Sequence, residues 1–174
     1  TLSEVGNAHR FAARNTDNVL YTDATGWLVW DGCRYSRTST EEVLNAIEVI
    51  NQELYGMVQE TGDRVKFIRQ ILAFERANSL RGSETLARGL AALRTTADTL
   101  DADRYLINFE NGTFDARTGE LRPHRREDKI TRLIQCDYNP TARCPEWIGA
   151  LHGIFARDPE PAASVAGLQR LLGY

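Results

Sequence analysis

Hydrophobic and polar residues alternate along the chain with two periods, one typical of helices and the other of strands. Apolar residues recur at helical spacing over residues 2–13. β-Branched and aromatic residues then dominate residues 19–21 and 27–30, and Asp31-Gly32 is typical of a two-residue hairpin turn into a return strand. The pattern therefore predicts an N-terminal helix followed by a small antiparallel sheet.

Residues 39–100 have the pattern of a helical bundle. Ser39 and Glu42 match a capping box, in which each side chain satisfies a free backbone N–H at the start of a helix. A second helix is predicted over residues 64–78 and a third with Ser83 as its N-cap, and three helices with short connections predict an antiparallel bundle. The residues expected to face the core are Val43, Ile47, Ile50, Leu54 and Met57 in the first helix, Phe67, Ile68, Ile71, Leu72 and Phe74 in the second, and Leu86, Leu90 and Leu93 in the third.

In the second half of the chain the hydrophobic period changes to two, which predicts a second group of strands. A strand at 105–109 is followed by Asn111-Gly112, a type I′ turn signal, and by a return strand at 113–115. Residues 130–136 predict a further strand. Pro145 suits the first turn of a helix, and a last amphipathic helix follows it. The residues of these two helices that are expected to face inward are Ile148, Leu151, Phe155, Val165, Leu168, Leu171 and Leu172.

Together these elements predict an α+β fold that is mainly α: a helical bundle with small antiparallel β-hairpins near the N-terminus and in the second half. The length of 174 residues suits a single domain with its own core. Three subregions are expected, namely the helix and hairpin at 1–38, the bundle at 39–100, and a hairpin region with C-terminal helices at 101–174. Because the sequence stops directly after an apolar helical seam, we expect it to be a fragment of a longer protein.

Composition predicts the cellular compartment. No apolar run approaches membrane-spanning length, and no charged-then-apolar leader opens the chain. Cys33, Cys136 and Cys144 have no C-x-x-C spacing, which suits free thiols in a reducing compartment. All but two of the 21 basic residues are arginine, a bias typical of GC-rich coding. These features predict a cytoplasmic protein of a bacterial cell or a phage-infected host, without a membrane partner.

The net charge of −3 conceals a strong segregation of charge along the chain. Residues 38–63 contain six acidic residues and no basic ones, whereas residues 64–97 contain seven basic and two acidic residues. Residues 117–132 contain six basic and three acidic residues. The basic segments are either solvated helix faces or surfaces that attract an anion such as a phosphate backbone, and the pattern leaves both interpretations open.

The sequence lacks the signatures of several enzyme classes. Neither Lys66 nor Lys129 follows a glycine, which excludes a Walker A loop, and the fingerprints of dinucleotide binding, serine hydrolysis and zincin proteases are also missing. Asp101-Ala-Asp103 could hold two metal ions in a nucleotidyl-transfer enzyme, but its position at a helix end favours a turn or cap role. The scattered histidines and cysteines indicate no zinc site. We therefore predict no catalytic residue, cofactor or metal for these residues.

Basic side chains beside aromatic ones are a combination that binds nucleic acid strands. One such segment contains Trp27, Trp30, Arg34 and Tyr35, and its two tryptophans lie on opposite faces of a strand, so at least one is expected in the core. The candidate phosphate contacts are Arg69, Arg76, Arg88, Arg125, Arg126, Lys129 and Arg132.

Six stretches follow one another in a characteristic order across nearly the whole chain. The first half contains GNAHRF at 6–11 and WLVWDG at 27–32. The second half contains LINFENGTFD at 106–115, TGELRPH at 118–124, YNPTARCP at 138–145 and LQRLLGY at 168–174. In these stretches the chain resembles the domain that precedes the superfamily 3 helicase motor in primase-helicases of poxviruses, phages and plasmids.

The resemblance implies that the parent protein is an ATP-dependent, ring-forming DNA helicase, often fused to a primase. Its motor would use ATP and Mg²⁺ and would lie beyond these residues. The Walker motifs and the primase core have no counterpart in this sequence, so neither ATPase nor priming activity is expected of it. The resemblance implies instead a helical collar or a DNA-facing module at the mouth of the ring.

Three functions follow as hypotheses. The first is a non-catalytic accessory domain that binds the DNA backbone, single-stranded or forked, next to the helicase ring through the basic residues named above. The second is an oligomerisation collar in which the acidic helix at 41–60 pairs with the basic segment 64–94 of a neighbouring copy, without contacting DNA. The third is an unrecognised nucleotidyl transferase that uses Asp101 and Asp103. The expected partners are thus DNA, further copies of the chain and the adjoining motor.

Overall fold

A computed structural model describes residues 3–60 and 62–172, and the fold is α+β and mainly α, as predicted. The chain divides into two compact units, the first ending at Tyr138 and the second beginning at Asn139. No helix among the described residues is long and apolar enough to cross a membrane. The helices in these ranges are α1 Glu4–Asn15, α2 Thr40–Glu53, α3 Arg64–Phe74, α4 Ala77–Arg88, α5 Pro145–Ile154 and α6 Pro161–Leu172. The strands form two antiparallel sheets, β1 Val19–Thr22, β2 Gly26–Trp30 and β3 Tyr35–Arg37 in the first, and β4 Leu106–Phe109, β5 Gly112–Asp115 and β6 Glu120–Arg122 in the second.

Helix α1 and the first sheet lie where the pattern predicts them. The Ser3 hydroxyl accepts a hydrogen bond from Gly6 N at 3.0 Å and caps α1. The predicted start of this helix at Leu2 lies outside the described residues. Trp30 of β2 pairs with Tyr35 of β3, so four residues connect these strands rather than the predicted two.

Both faces of the first sheet are covered, because alternate side chains enter two different clusters. Trp27 belongs to a cluster that also contains residues of α1, α2 and α4, and its ring meets that of Phe11 edge-on with 6.0 Å between centroids. Leu28 packs on the opposite face with Tyr35 and Trp30. The prediction that the two tryptophans lie on opposite faces, with at least one in the core, is confirmed.

Helix α2 begins with the predicted capping box. The Ser39 hydroxyl accepts from Glu42 N, and the Glu42 carboxylate accepts from Ser39 N. Four of the five predicted core residues of this helix are buried, but Met57 is exposed. The reason is that α2 ends at Glu53 and continues as a 3₁₀ helix at Leu54–Glu60, whose tighter winding rotates Met57 away from the apolar seam.

The boundary between the second and third helices differs from the prediction. Helix α3 ends at Phe74 and α4 already begins at Ala77, so the predicted helix over 64–78 is in fact two helices. Ser83 is not an N-cap but a buried residue within α4, where its hydroxyl donates to Ser79 O at 2.9 Å. The break carries neither glycine nor proline, which explains why the sequence pattern does not indicate it.

The predicted inward face of α3 is only partly covered, with Phe67 and Phe74 half-buried. Of its apolar residues Ile71 is fully buried, whereas Ile68 and Leu72 are exposed. Leu86 of α4 is also exposed, and Leu93 is fully buried in the turn that follows the helix rather than within it. The bundle core is therefore formed mainly by α1, α2 and α4, with one stripe of α3 left uncovered.

The second sheet has the predicted hairpin but a different turn. Phe109 pairs with Gly112, so the connecting residues are Glu110 and Asn111, and neither has the positive φ that a type I′ turn requires. Gly112 has a φ of 152° instead, and a Cβ at this position would lie 2.6 Å from Arg122 O. Glycine is required there because β5 and β6 approach each other closely.

Residues 130–136, which we call the linking segment, form no strand, contrary to the prediction. Ile130 O accepts from Tyr35 N of the first sheet at 2.8 Å, and Ile134 N donates to Asn108 O of the second sheet at 2.8 Å. An isolated parallel bridge joins Ile134 to Phe109. Because its backbone hydrogen bonds are divided between two sheets, the segment cannot form a continuous ladder with either.

The second unit contains α5 and α6, and α5 begins with a proline in its first turn, as predicted. Leu151 of α5 and Val165 of α6 are buried. Ile148 and Leu171, both predicted to face inward, are exposed, because a pair of helices can cover only one stripe of each. The side chain of Leu172 lies outside the described residues.

Candidate nucleic-acid interface

Two of the predicted phosphate contacts lie on the exposed surface of the helical bundle. Arg69 lies on α3 and Arg76 immediately precedes α4. Both residues are exposed, which leaves their guanidinium groups accessible to a ligand.

Arg88 of α4 interacts mainly with the protein interior. Its Nε donates to Glu84 Oε1 at 2.7 Å, and this buried carboxylate oxygen also accepts from Trp27 Nε1 at 2.6 Å. The hydrogen bond to Glu84 raises the pKa of Arg88. The Arg88 guanidinium also lies 5.4 Å from the centre of the Tyr21 ring. Arg88 therefore neutralises a buried charge beside the core.

A one-turn 3₁₀ helix at Arg126–Asp128 begins with Arg126, and Arg125 and Lys129 are its N-cap and C-cap residues. Arg125 and Arg126 are exposed. Lys129 has a left-handed backbone with a φ of 48°, and its Nζ donates to Thr95 Oγ1 at 3.1 Å. The two arginines are thus accessible to a ligand, while Lys129 ties this turn to the segment that follows α4.

Arg132 belongs to the linking segment, and its side chain is 89% exposed. It lines a cleft of about 550 Å³ together with Arg34, which precedes β3, and Arg37, which ends β3. We call this site the arginine cleft. Its other lining residues are Thr25, Leu28, Tyr35, Ser36, Ala97, Leu100, Asp101 and Thr131.

Arg34 is held at the cleft by weak contacts. Its Nη1 donates to Thr131 O at 3.5 Å, and its Nε, which is buried, has no hydrogen-bond partner among the described residues and lies 3.6 Å from Asp31 Oδ2. Partial burial alone would raise the pKa of Asp31, but hydrogen bonds from Cys33 N and Arg34 N and the charge of Arg34 lower it overall. The protein therefore leaves much of the hydrogen-bonding capacity of Arg34 unused.

The two carboxylates of the Asp101-Ala-Asp103 sequence each accept hydrogen bonds from the protein. Asp101 Oδ1 accepts from Thr131 N at 2.7 Å, and its Oδ2 accepts from the Thr131 hydroxyl. Asp103 accepts from Tyr105 N at 3.1 Å and from Arg117 Nη2 at 2.7 Å. Both carboxylates thus hold backbone turns in place. Within residues 3–60 and 62–172, no group of three or more His, Cys, Asp and Glu side chains could hold a metal ion.

A second depression of about 350 Å³ adjoins the arginine cleft, because Asp101 and Arg132 line both. We call it the apolar groove, since five of its ten lining residues are aliphatic. Ile107 and Ile134, which belong to this lining, are exposed large hydrophobic residues. The remaining lining residues are Asp103, Arg104, Leu106, Asn108, Ile130 and Leu133.

The structure brings one predicted contact, Arg132, together with two arginines that were not among the predicted contacts. Arg34 belonged to the aromatic and basic segment, but nothing in the pattern pointed to Arg37. Because Arg132 is distant from both in sequence, the grouping depends on the linking segment crossing the first sheet. Arg69, Arg76 and Arg88 do not line this cleft.

Comparison with known proteins gives one family. Residues 8–156 match the family described as D5 N terminal like. The matched range begins within α1, contains the rest of the helical bundle, both sheets, the arginine cleft and the apolar groove, and ends just after α5. No curated protein matches the sequence.

Proposed function

We propose that this chain, which belongs to the D5 N-terminal-like family, is a non-catalytic accessory domain that binds the DNA backbone. The family is the N-terminal domain of D5-like primase-helicases of poxviruses, phages and plasmids. The parent is a replication protein that acts on DNA. The superfamily 3 helicase motor, with its ATP and Mg²⁺, belongs to the parent protein in this proposal.

The observation that carries the proposal is the arginine cleft. Arg34, Arg37 and Arg132 line it together with a single carboxylate, that of Asp101. Asp101 accepts two hydrogen bonds from Thr131 and lies 3.8 Å from Arg132 Nε. Three positive charges against one negative charge leave the cleft cationic, and such a cleft concentrates counter-ions and steers anionic ligands to it. Phosphate oxygens are the ligands that guanidinium groups bind best, through paired hydrogen bonds.

Other exposed arginines of the first unit are further candidate phosphate contacts. Arg125 and Arg126 precede the linking segment that carries Arg132, and Arg69 and Arg76 lie on the helical bundle. Lys129 contributes charge while it is hydrogen-bonded to Thr95, whereas the charge of Arg88 is balanced by Glu84. Contacts of this kind bind phosphates without reading base sequence.

The test is the affinity for a fluorescein-labelled single-stranded oligonucleotide, measured by fluorescence anisotropy. We expect the dissociation constant to rise steeply between about 50 and 200 mM salt and to depend little on base sequence. Replacing Arg125 and Arg126 by alanine should weaken binding by about tenfold and flatten the salt dependence. The matched control replaces Arg143 and Arg157, exposed arginines of the second unit, and should bind like the parent chain. Affinity that ignores salt or the R125A/R126A substitution contradicts the proposal.

A second candidate function is the oligomerisation collar, and the uncovered face of α3 favours it. Val65, Ile68 and Leu72 lie three and four residues apart, and their exposed fractions are 68%, 37% and 53%. An apolar stripe among the basic residues of α3 would fit an acidic helix such as α2 of a second copy. Such a contact between different surfaces would produce rings or filaments.

Light scattering separates the two candidates. A DNA-binding module stays monomeric until single-stranded DNA is added, and its DNA complex dissociates as salt is raised. A collar self-associates without DNA. Measurements with and without the oligonucleotide at two salt concentrations therefore distinguish them.

A further inference from the structure

The arginine cleft and the apolar groove adjoin at Asp101 and Arg132. The cleft carries three guanidinium groups, whereas the groove carries five aliphatic side chains. We propose that together they form a binding site for one nucleoside phosphate, with the phosphate in the arginine cleft and the base in the apolar groove. This inference rests on the proposed function and deepens it, because it names the unit of the ligand and the residues that select it.

The phosphate side of the site is built from three guanidinium groups that come from two distant parts of the chain. Arg34 precedes β3, Arg37 is its last residue, and Arg132 belongs to the linking segment. Hydroxyl groups of Thr25, Ser36 and Thr131 also line the cleft. Arginine forks and hydroxyl donors are the groups that bind phosphate oxygens in proteins.

The backbone that carries Arg132 is held in place before any ligand arrives. Asn108 Nδ2 donates to Arg132 O at 3.2 Å and to Cys33 O at 3.0 Å. Tyr35 N donates to Ile130 O at 2.8 Å, and Thr131 N donates to Asp101 at 2.7 Å. A scaffold that is ordered in advance lowers the entropy cost of binding.

The base side of the site is lined by five aliphatic side chains, beside the charged and polar residues Asp101, Asp103, Arg104, Asn108 and Arg132. Ile107 and Ile134 keep 37% and 47% of their surface exposed although both line the groove. Apolar side chains of this kind cover the face of an extruded base in nucleic-acid enzymes. Because a base stacked inside a duplex cannot enter such a groove, the site is expected to prefer single strands or free nucleotides over duplex DNA.

A strand and a free nucleotide present the same phosphate and base, so the experiment has an arm for each. In the first arm, fluorescence anisotropy compares a labelled single-stranded oligonucleotide with the same sequence as a blunt duplex. In the second arm, isothermal titration calorimetry measures binding of deoxyadenosine monophosphate. We expect the single strand to bind more tightly than the duplex, or the mononucleotide to bind measurably, and either result identifies the source of the ligand.

Variants of each half of the site test the assignment. Arg37→Gln with Arg132→Gln, at two exposed positions, should weaken binding of whichever ligand binds by at least about tenfold. Ile134→Ser should reduce the preference for single strands over duplex while leaving the duplex affinity unchanged. The matched control carries Arg81→Gln and Arg157→Gln, at exposed positions that do not line the cleft, and should bind as the parent chain does. Thermal melting by circular dichroism confirms that each variant is folded.

The outcomes separate this inference from the proposed function. If R37Q/R132Q binds like the parent chain while R125A/R126A is weakened, the chain binds DNA through arginines outside the cleft, and the nucleotide site is overturned. If the single strand and the duplex bind equally and the mononucleotide does not bind, the assignment of the base to the apolar groove is overturned. If the parent chain binds neither strand nor mononucleotide, both proposals fail.

Discussion

Asn108 on β4 is a buried amide whose four hydrogen-bonding positions are all used. Its Nδ2 donates to two backbone carbonyls, while its Oδ1 accepts from the Thr113 hydroxyl at 2.9 Å and lies 2.9 Å from His124 Nδ1. The two carbonyls belong to the loop before β3 and to the linking segment. One side chain therefore connects the first sheet, the second sheet and the segment that carries Arg132.

Replacing Asn108 by alanine should destabilise the protein by about 1–3 kcal/mol, because two backbone carbonyls and the hydroxyl of the buried Thr113 lose a hydrogen bond. Urea denaturation followed by circular dichroism measures the change in the free energy of unfolding. The control is Asn45→Ala on the exposed surface of α2, which should change stability by less than about 0.5 kcal/mol. A small effect of N108A would mean that the linking segment is held by other contacts.

The connection between β2 and β3 is an element whose shape depends on one carboxylate. Asp31 Oδ1 accepts from Cys33 N and Arg34 N, both at 2.9 Å, and closes the four-residue loop. This arrangement is an Asx turn, which fixes the direction of the chain as it enters β3. Because Arg34 precedes β3 and Arg37 ends it, the loop also sets where the first two arginines of the cleft lie.

The lowered pKa of Asp31 predicts how this loop responds to acid. A carboxyl group whose folded pKa lies below its ordinary value of 3.8 contributes stability that is fully present above that value. The contribution is lost as pH falls below 3.8 and through the folded pKa. The difference in unfolding free energy between the parent chain and Asp31→Asn should therefore be constant near neutral pH and shrink below about pH 4. Urea titrations at several pH values measure it, and a difference that does not change with pH would contradict the assignment.

At the scale of the first unit, two features stand out: the exposed apolar residues of α3 and the segregation of acidic and basic residues along the chain. Acidic residues concentrate before Arg64 and basic residues after it, so opposite charges lie on consecutive helices. A second copy could satisfy both the charge and the apolar surface, whereas DNA could satisfy the basic residues alone. Self-association would therefore bury the apolar residues of α3, whereas DNA binding would leave them exposed.

Substituting Val65 and Leu72 by serine tests whether the apolar residues of α3 take part in self-association. If the chain assembles through α3, light scattering should show a large loss of self-association in this variant, because apolar contact area is removed from the interface. The control is Ile154→Ser with Leu171→Ser, whose parent residues are exposed to a similar extent in the second unit. If the chain binds DNA as a monomer, both variants should scatter light and bind the oligonucleotide as the parent chain does.

Local patterns along the chain were sufficient to predict most helices and strands and several of their ends. The capping box at Ser39 and the proline that opens α5 act within one helical turn, so neighbouring residues specify them. The same holds for the hairpins, whose strands are close in sequence. The predicted class, α+β and mainly α, is confirmed for the same reason.

Features that depend on residues distant in sequence could not be predicted from local patterns. The break after Phe74 and the buried Ser83 follow from packing against the other helices, and the linking segment is not a strand because its hydrogen bonds go to two sheets. The arginine cleft exists because that segment brings Arg132 to β3. Hydrophobic periodicity indicates which face of an element is apolar, but it does not indicate which elements pack against each other. A site whose residues are distant in sequence depends on that packing, so only the tertiary structure reveals it.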